Sequence, residues 1–173
     1  MTRRRWPLVC AAALGALAAG AASAAEPWGL ENEKVVELQG RVVDLACTLA
    51  GDCPPDCGGG KRQLGVLTAE GRLLPLAKGL VNFANGVPDL LPYCGRKLQV
   101  DGLLIESPAM PLLFVQNLRG SAADPWRATD AFERGWRARH GGEAGVEWFK
   151  TDPDVRAAIE AAGVLGVPGL KPE

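Results

Sequence analysis

Lys34-Val35-Val36-Glu37-Leu38-Gln39-Gly40-Arg41-Val42-Val43-Asp44-Leu45-Ala46-Cys47 alternates apolar and polar residues, with an interruption at Gly40. Val36 and Leu38 share one face; beyond the glycine the apolar set moves to Val43, Leu45 and Cys47. Alternation of period two marks a half-buried strand, and a change of parity at a glycine is what a bulge or sharp bend produces. The stretch reads as one long first strand, bent at Gly40.

Downstream, residues 63–68 and 72–77 flank Ala69-Glu70-Gly71, a short loop ending in glycine, and so predict a hairpin. Leu80, Phe83, Ala84, Val87 and Leu91 recur at helical spacing, although Gly86 and Pro88 make that helix short or broken. Residues 96–105 alternate again, with Leu98, Val100, Gly102 and Leu104 on one side. After the loop Ser107-Pro108-Ala109-Met110-Pro111, residues 112–118 make a last strand. The order β-β-β-α-β-β, with a long first strand bent at a glycine, resembles the OB-fold, a five-stranded, partly open barrel. The resemblance covers residues 34–119 and rests on element order, not on a signature motif. It implies a mainly β fold, a small OB-fold-like barrel; another small β-barrel or an α+β domain is the alternative.

Beyond the barrel, residues 120–173 read as a C-terminal helical extension. Asp124-Pro125 and Asp152-Pro153 each place an N-cap before a proline suited to the first helical position. Behind the second, Val155, Ala158, Ile159 and Ala162 form an apolar stripe ending at Gly163. Phe132, Trp136, Trp148 and Phe149 are expected to pack the extension onto the barrel.

At the other end, Arg3, Arg4 and Arg5 precede an Ala/Leu-rich run over 8–19 and the small residues Ala22-Ser23-Ala24-Ala25, before the first acidic residue, Glu26. That is the pattern of a secretory signal peptide over residues 1–25, cut after Ala24 or Ala25, with 26–33 as a lead into the barrel. The apolar run is shorter than the roughly 20 residues of a spanning helix, and Cys10 precedes most of it, whereas a lipobox cysteine follows it. Thr2-Arg3-Arg4-Arg5-Trp6 also resembles the twin-arginine export signal, so both export routes stay open. After removal of residues 1–25 the chain has 148 residues, one domain's worth, with 16 basic against 20 acidic side chains. A mildly acidic exported chain is a poor nucleic-acid binder, and no later run is long and apolar enough to span a membrane.

Four cysteines then remain, Cys47, Cys53, Cys57 and Cys94, three of them in a loop dense with Pro54, Pro55, Gly58, Gly59 and Gly60. If the first and fourth strands pair, all four meet at one pole. In an oxidising compartment they imply two disulfides, and the pairing expected is Cys47 with Cys94 and Cys53 with Cys57. The alternative is a thiolate site for zinc or copper, or reversible redox chemistry. Cys-Pro-Pro-Asp-Cys is not the two-residue spacing of thioredoxin-like enzymes, and no Cys-x-x-Cys-His for covalent haem occurs.

Gly58-Gly59-Gly60-Lys61-Arg62 lacks the Ser or Thr of a phosphate-binding Walker loop, but Lys61, Arg62 and Gln63 are candidate contacts for an anion or other ligand. Asp52 and Asp56 flank the cysteines and are expected to be solvated. His140, the single histidine, stands at a helix end where a cation is favoured, and one histidine builds no triad. Together these features predict a periplasmic or secreted, non-catalytic binding or accessory protein without cofactor. Its partner would be a protein or small ligand, met through the face around residues 63–76 or through the cysteine loop.

Overall fold

In the computed structural model, which describes residues 25–77 and 86–163, the alternating stretch forms the single strand β1 (Glu33–Asp44). Its first part pairs antiparallel with β4 (Lys97–Glu106), from Glu33 opposite Ile105 to Arg41 opposite Lys97. Its last part pairs with β2 (Leu64–Thr68), from Gly40 opposite Thr68 to Asp44 opposite Leu64. One long strand therefore serves two partners, overlapping at Gly40 and Arg41.

The expected change of face at Gly40 does not occur. Val36, Leu38, Gly40, Val42 and Asp44 keep one face, Val42 is fully buried, and Val43 is half-buried on the other. Leu45 and Cys47 are not strand residues: they belong to α1 (Leu45–Ala50), whose first turn is capped by the Asp44 carboxylate accepting from the Cys47 N–H at 3.0 Å. The apparent shift of parity came from reading a helix as a continued strand. Gly40 has a different purpose, since a Cβ there would lie 2.3 Å from Cγ1 of Val66 and 2.9 Å from the Leu67 carbonyl oxygen. Only glycine lets β2 approach this closely.

Among the described residues six antiparallel strands make one sheet in the order β3-β2-β1-β4-β5-β6, with β3 at Leu73–Pro75, β5 at Pro111–Arg119 and β6 at Arg127–Ala128. The two-residue β6 is absent from the five-strand expectation. The sheet's irregularity lies between β4 and β5: Asp101 faces Asn117 but Gly102 faces Val115, which leaves Gln116 as an extra residue. A single parallel bridge between Leu76 and Leu113, with the Ala77 N–H donating to the Leu113 oxygen at 2.8 Å, links the end of β3 to β5. Among the described residues β3 and β5 meet by that bridge and not by a ladder, so the sheet is not closed.

The curved sheet wraps one core in which Leu64, Leu74, Leu90, Leu98, Leu113 and Leu118 are all at 1% exposure or less. Burial of each such side chain stabilises the fold by about 1.5–3 kcal/mol. Of the helix expected between the third and fourth strands, Leu80, Phe83 and Ala84 lie outside the described residues. Its end is α2 (Val87–Leu90), which passes into a 3-10 turn at Leu91–Tyr93 and contributes Val87 and Leu90 to the core. The signal-peptide reading of residues 1–24 also falls outside the described residues.

In the extension, Asp124-Pro125 does not begin a helix. The Asp124 carboxylate accepts from the Ser121 N–H and hydroxyl at 2.8 and 2.9 Å, closing a turn, and the chain runs on into β6 before α3 (Ala131–His140). Asp152-Pro153 does begin α4 (Pro153–Ala162), with Oδ1 of Asp152 accepting from the Asp154 and Val155 N–H groups at 2.8 and 2.9 Å. Phe132, Trp136, Trp148 and Phe149 contact one another, with ring centroids 4.9–6.4 Å apart. Besides β6, the extension meets the body at α2, where the buried Asp89 carboxylate accepts from the Ala131 N–H at 3.1 Å and lies 3.8 Å from Arg134.

Candidate functional site

Behind Asp44 the chain leaves the sheet as α1, and Gly51, in the left-handed region at φ 73°, turns it back. Cys53 thereby returns to Cys47 with 4.3 Å between the Cα atoms, and the two are disulfide-bonded. Asp56, Cys57, Gly58 and Gly59 are then left-handed in succession. This coil brings Cys57 into the core cluster, where it bonds Cys94 with the Cα atoms 6.0 Å apart.

Both disulfides are present, but the pairing is Cys47–Cys53 and Cys57–Cys94, not the one expected. The reason is a matter of register. Cys94 lies beside Val42, whose N–H and carbonyl bond Arg96 and Gly95 at 3.0 and 2.9 Å, and not beside Cys47. Helix α1 carries Cys47 away from that line, and the left-handed residues deliver Cys57 in its place. With all four sulfurs in disulfides, a zinc or copper thiolate site would first require reduction of both bonds. Among the described residues no group of three or more His, Cys, Asp or Glu side chains could hold a metal ion.

The three residues expected to meet a ligand fare differently. The Arg62 guanidinium bonds Asp52 and sits 3.7 Å from Oδ2 of the buried Asp44; the hydrogen bond to Asp52, with the charges of both carboxylates, raises its pKa above the usual arginine value. It fastens the loop to the strand end through Asp52, which is exposed like Asp56, as expected. Gln63 is spent on the scaffold too, its side-chain amide donating to the Leu76 oxygen at 2.9 Å. The Lys61 side chain is exposed and forms no ion pair among the described residues. His140 closes α3, stacked on Trp136 at 4.0 Å with Nε2 3.5 Å from Oδ2 of Asp152, so it joins the two helices of the extension.

Two adjoining grooves lie beside the loop. One, of about 470 Å³, is lined by Gln39, Gly40, Arg41 and Lys97 and by the hairpin residues Leu67, Thr68, Ala69 and Gly71. The other, of about 360 Å³, runs from Arg41 and Leu67 past Val43 and Thr48 to Cys47, Cys57 and Cys94. They share Arg41 and Leu67, so the hairpin face and the cysteine loop form one continuous surface. Arg41 and Lys97 face each other in register, both are exposed, and neither forms an ion pair among the described residues. Sequence reasoning missed this pair because it followed the apolar face of β1; the signal was the outward set Gln39 and Arg41 on the same strand.

Compared with protein families, curated proteins and solved structures, the chain finds no match.

Proposed function

We propose that this is an exported, non-catalytic binding protein built on an OB-fold-type barrel, and that it takes an anionic group of a protein or small ligand on the face around Arg41 and Lys97. The barrel reading is supported by the order β3-β2-β1-β4-β5, by the helix between β3 and β4, and by the Leu76–Leu113 bridge at the seam. Two disulfides suit an oxidising compartment, and no helix of the described residues is long and apolar enough to cross a membrane.

The observation that carries the binding reading is the pair of grooves meeting at Arg41 and Leu67, with an unpaired arginine and lysine over an apolar floor. Ligand sites combine apolar walls with a few placed polar groups in this way. The neighbouring loop, cross-linked twice, loses little entropy on binding. The test is a titration of the isotope-labelled mature protein with hexaglutamate and with an oligogalacturonate, followed by amide shifts. The reading expects perturbation at residues 39–43, 67–71 and 97, abolished in Arg41→Glu/Lys97→Glu. Shifts confined to other surfaces, or unchanged by the double substitution, would defeat it.

A further inference from the structure

Ala25 is 5% exposed, and its backbone N–H donates to Oδ1 of Asp101 at 3.1 Å. Asp101 is 6% exposed, and its other oxygen accepts from the Asn117 side-chain amide at 2.9 Å. Both donors are uncharged, and among the described residues no lysine or arginine stands at ion-pair distance from this carboxylate. Arg119, on the neighbouring strand, is taken by Glu37 and Gln99. A buried carboxylate without a counter-charge is costly, far more so than a neutral group.

The lead that follows Ala25 is aligned by four further contacts. The Glu26 N–H donates to the Gln116 side-chain oxygen at 2.9 Å, and the Gln116 amide donates back to the Glu26 carbonyl at 2.7 Å. Trp28 stacks on Phe114 with 4.2 Å between centroids, and its N–H donates to Glu33 at 2.9 Å. Gln116 is the extra residue of the β4–β5 bulge, so the irregularity supplies the clamp that aims the Ala25 nitrogen at Asp101.

We infer that the bond between Ala24 and Ala25 is the processing site, and that the α-ammonium of Ala25 is the counter-ion that Asp101 lacks. The inference rests on the export reading above and names the cut within it. Hydrolysis adds one water: the C–N bond breaks, Ala24 keeps the new carboxylate, and the Ala25 nitrogen leaves as an amine that takes a proton. That nitrogen already bonds Asp101, so cleavage converts a neutral donor into a charged one without moving it. Ala22-Ser23-Ala24 places small residues where the peptidase needs them. Cleavage one bond later would make Glu26 the first residue and leave Asp101 with Asn117 alone.

Amino-terminal sequencing of the exported protein tests the position. Ala25 as first residue is expected. Glu26 as first residue overturns the inference while export stands, and a chain that retains residues 1–24 overturns the export reading with it. The docking is tested on mature chains starting at Ala25, with the amine free or Nα-acetylated, by urea unfolding. Acetylation is expected to lower the folding equilibrium constant by about tenfold or more, and to have no effect in Asp101→Asn. Should that variant not fold, the chain starting at Glu26 replaces it, and acetylation there should change nothing. Equal stability of the free and acetylated Ala25 chains would overturn the ion pair.

Discussion

The loop over residues 45–63 and the helical part of the extension over 131–163 both lie outside the sheet, but they are held by different means. Among the residues of α1 and the left-handed coil, Cys57 alone is buried. That loop is fixed by two disulfides and by Arg62 between Asp44 and Asp52. The extension has no cysteine and instead gathers Phe132, Trp136, Trp148 and Phe149 around one another, with Trp136 buried. Covalent cross-links hold the glycine- and proline-rich loop, whereas packed aromatic rings gather the extension.

Breaking the long cross-link should have the largest effect on this contrast. The chain-entropy estimate for the Cys57–Cys94 bond, which spans 37 residues, is about 4 kcal/mol, and Cys57→Ser/Cys94→Ser should lose that much in urea unfolding. Trp136→Ala should lose about 3 kcal/mol, and it should do so regionally: hydrogen exchange should rise over 131–162 while β1 and β4 stay protected. A uniform loss across the sheet would mean that the extension is part of the main cooperative unit. The short Cys47–Cys53 bond, spanning 6 residues, should be worth about 2 kcal/mol, so the double serine variant there must be the milder of the two. A reversal of that order would remove entropy as the reason for the cross-links.

The smallest effect concerns the joint between extension and body. Burial pushes the Asp89 carboxyl above its usual value, against the opposing pull of the Ala131 N–H and of Arg134. The native state therefore holds this proton more tightly than the unfolded chain does. Its contribution is fully present below about pH 4 and is lost as pH rises through the raised value. Asp89→Asn should flatten that part of the stability profile, measured as urea midpoint against pH, and parallel profiles for the two proteins would exclude the effect.

Most of the sheet was legible because its alternation is strong: Leu98, Val100 and Leu104 on β4 and the hairpin at Ala69-Glu70-Gly71 are where the pattern put them. The end of β1 was not, because Val42-Val43 satisfies either parity and Asp44 leaves the strand to cap a helix. That misreading displaced Cys47 in space and, with it, the disulfide pairing. Asp152 was legible as a cap and Asp124 was not, since the same dipeptide closes a turn when the following residues can pair as a strand. Of the candidate site, the sequence singled out the cysteine loop and the hairpin but not the bonds that Arg62 and Gln63 make to Asp52 and Leu76. Arg41 and Lys97 emerge only from the register between β1 and β4.

The division of β1 between two partners also sets an order of events for the nascent chain. Its contacts with β2 bridge some two dozen residues, from Gly40 to Thr68 and from Asp44 to Leu64, whereas those with β4 reach from Glu33 to Ile105. Long sequence separations delay pairing. A chain emerging from its amino terminus therefore assembles β1, β2 and β3 first and carries the other half of β1 as an open edge until residue 106 has appeared. Until β4 has paired, that half of β1 is an unsatisfied strand edge, the kind of edge that templates pairing with another chain.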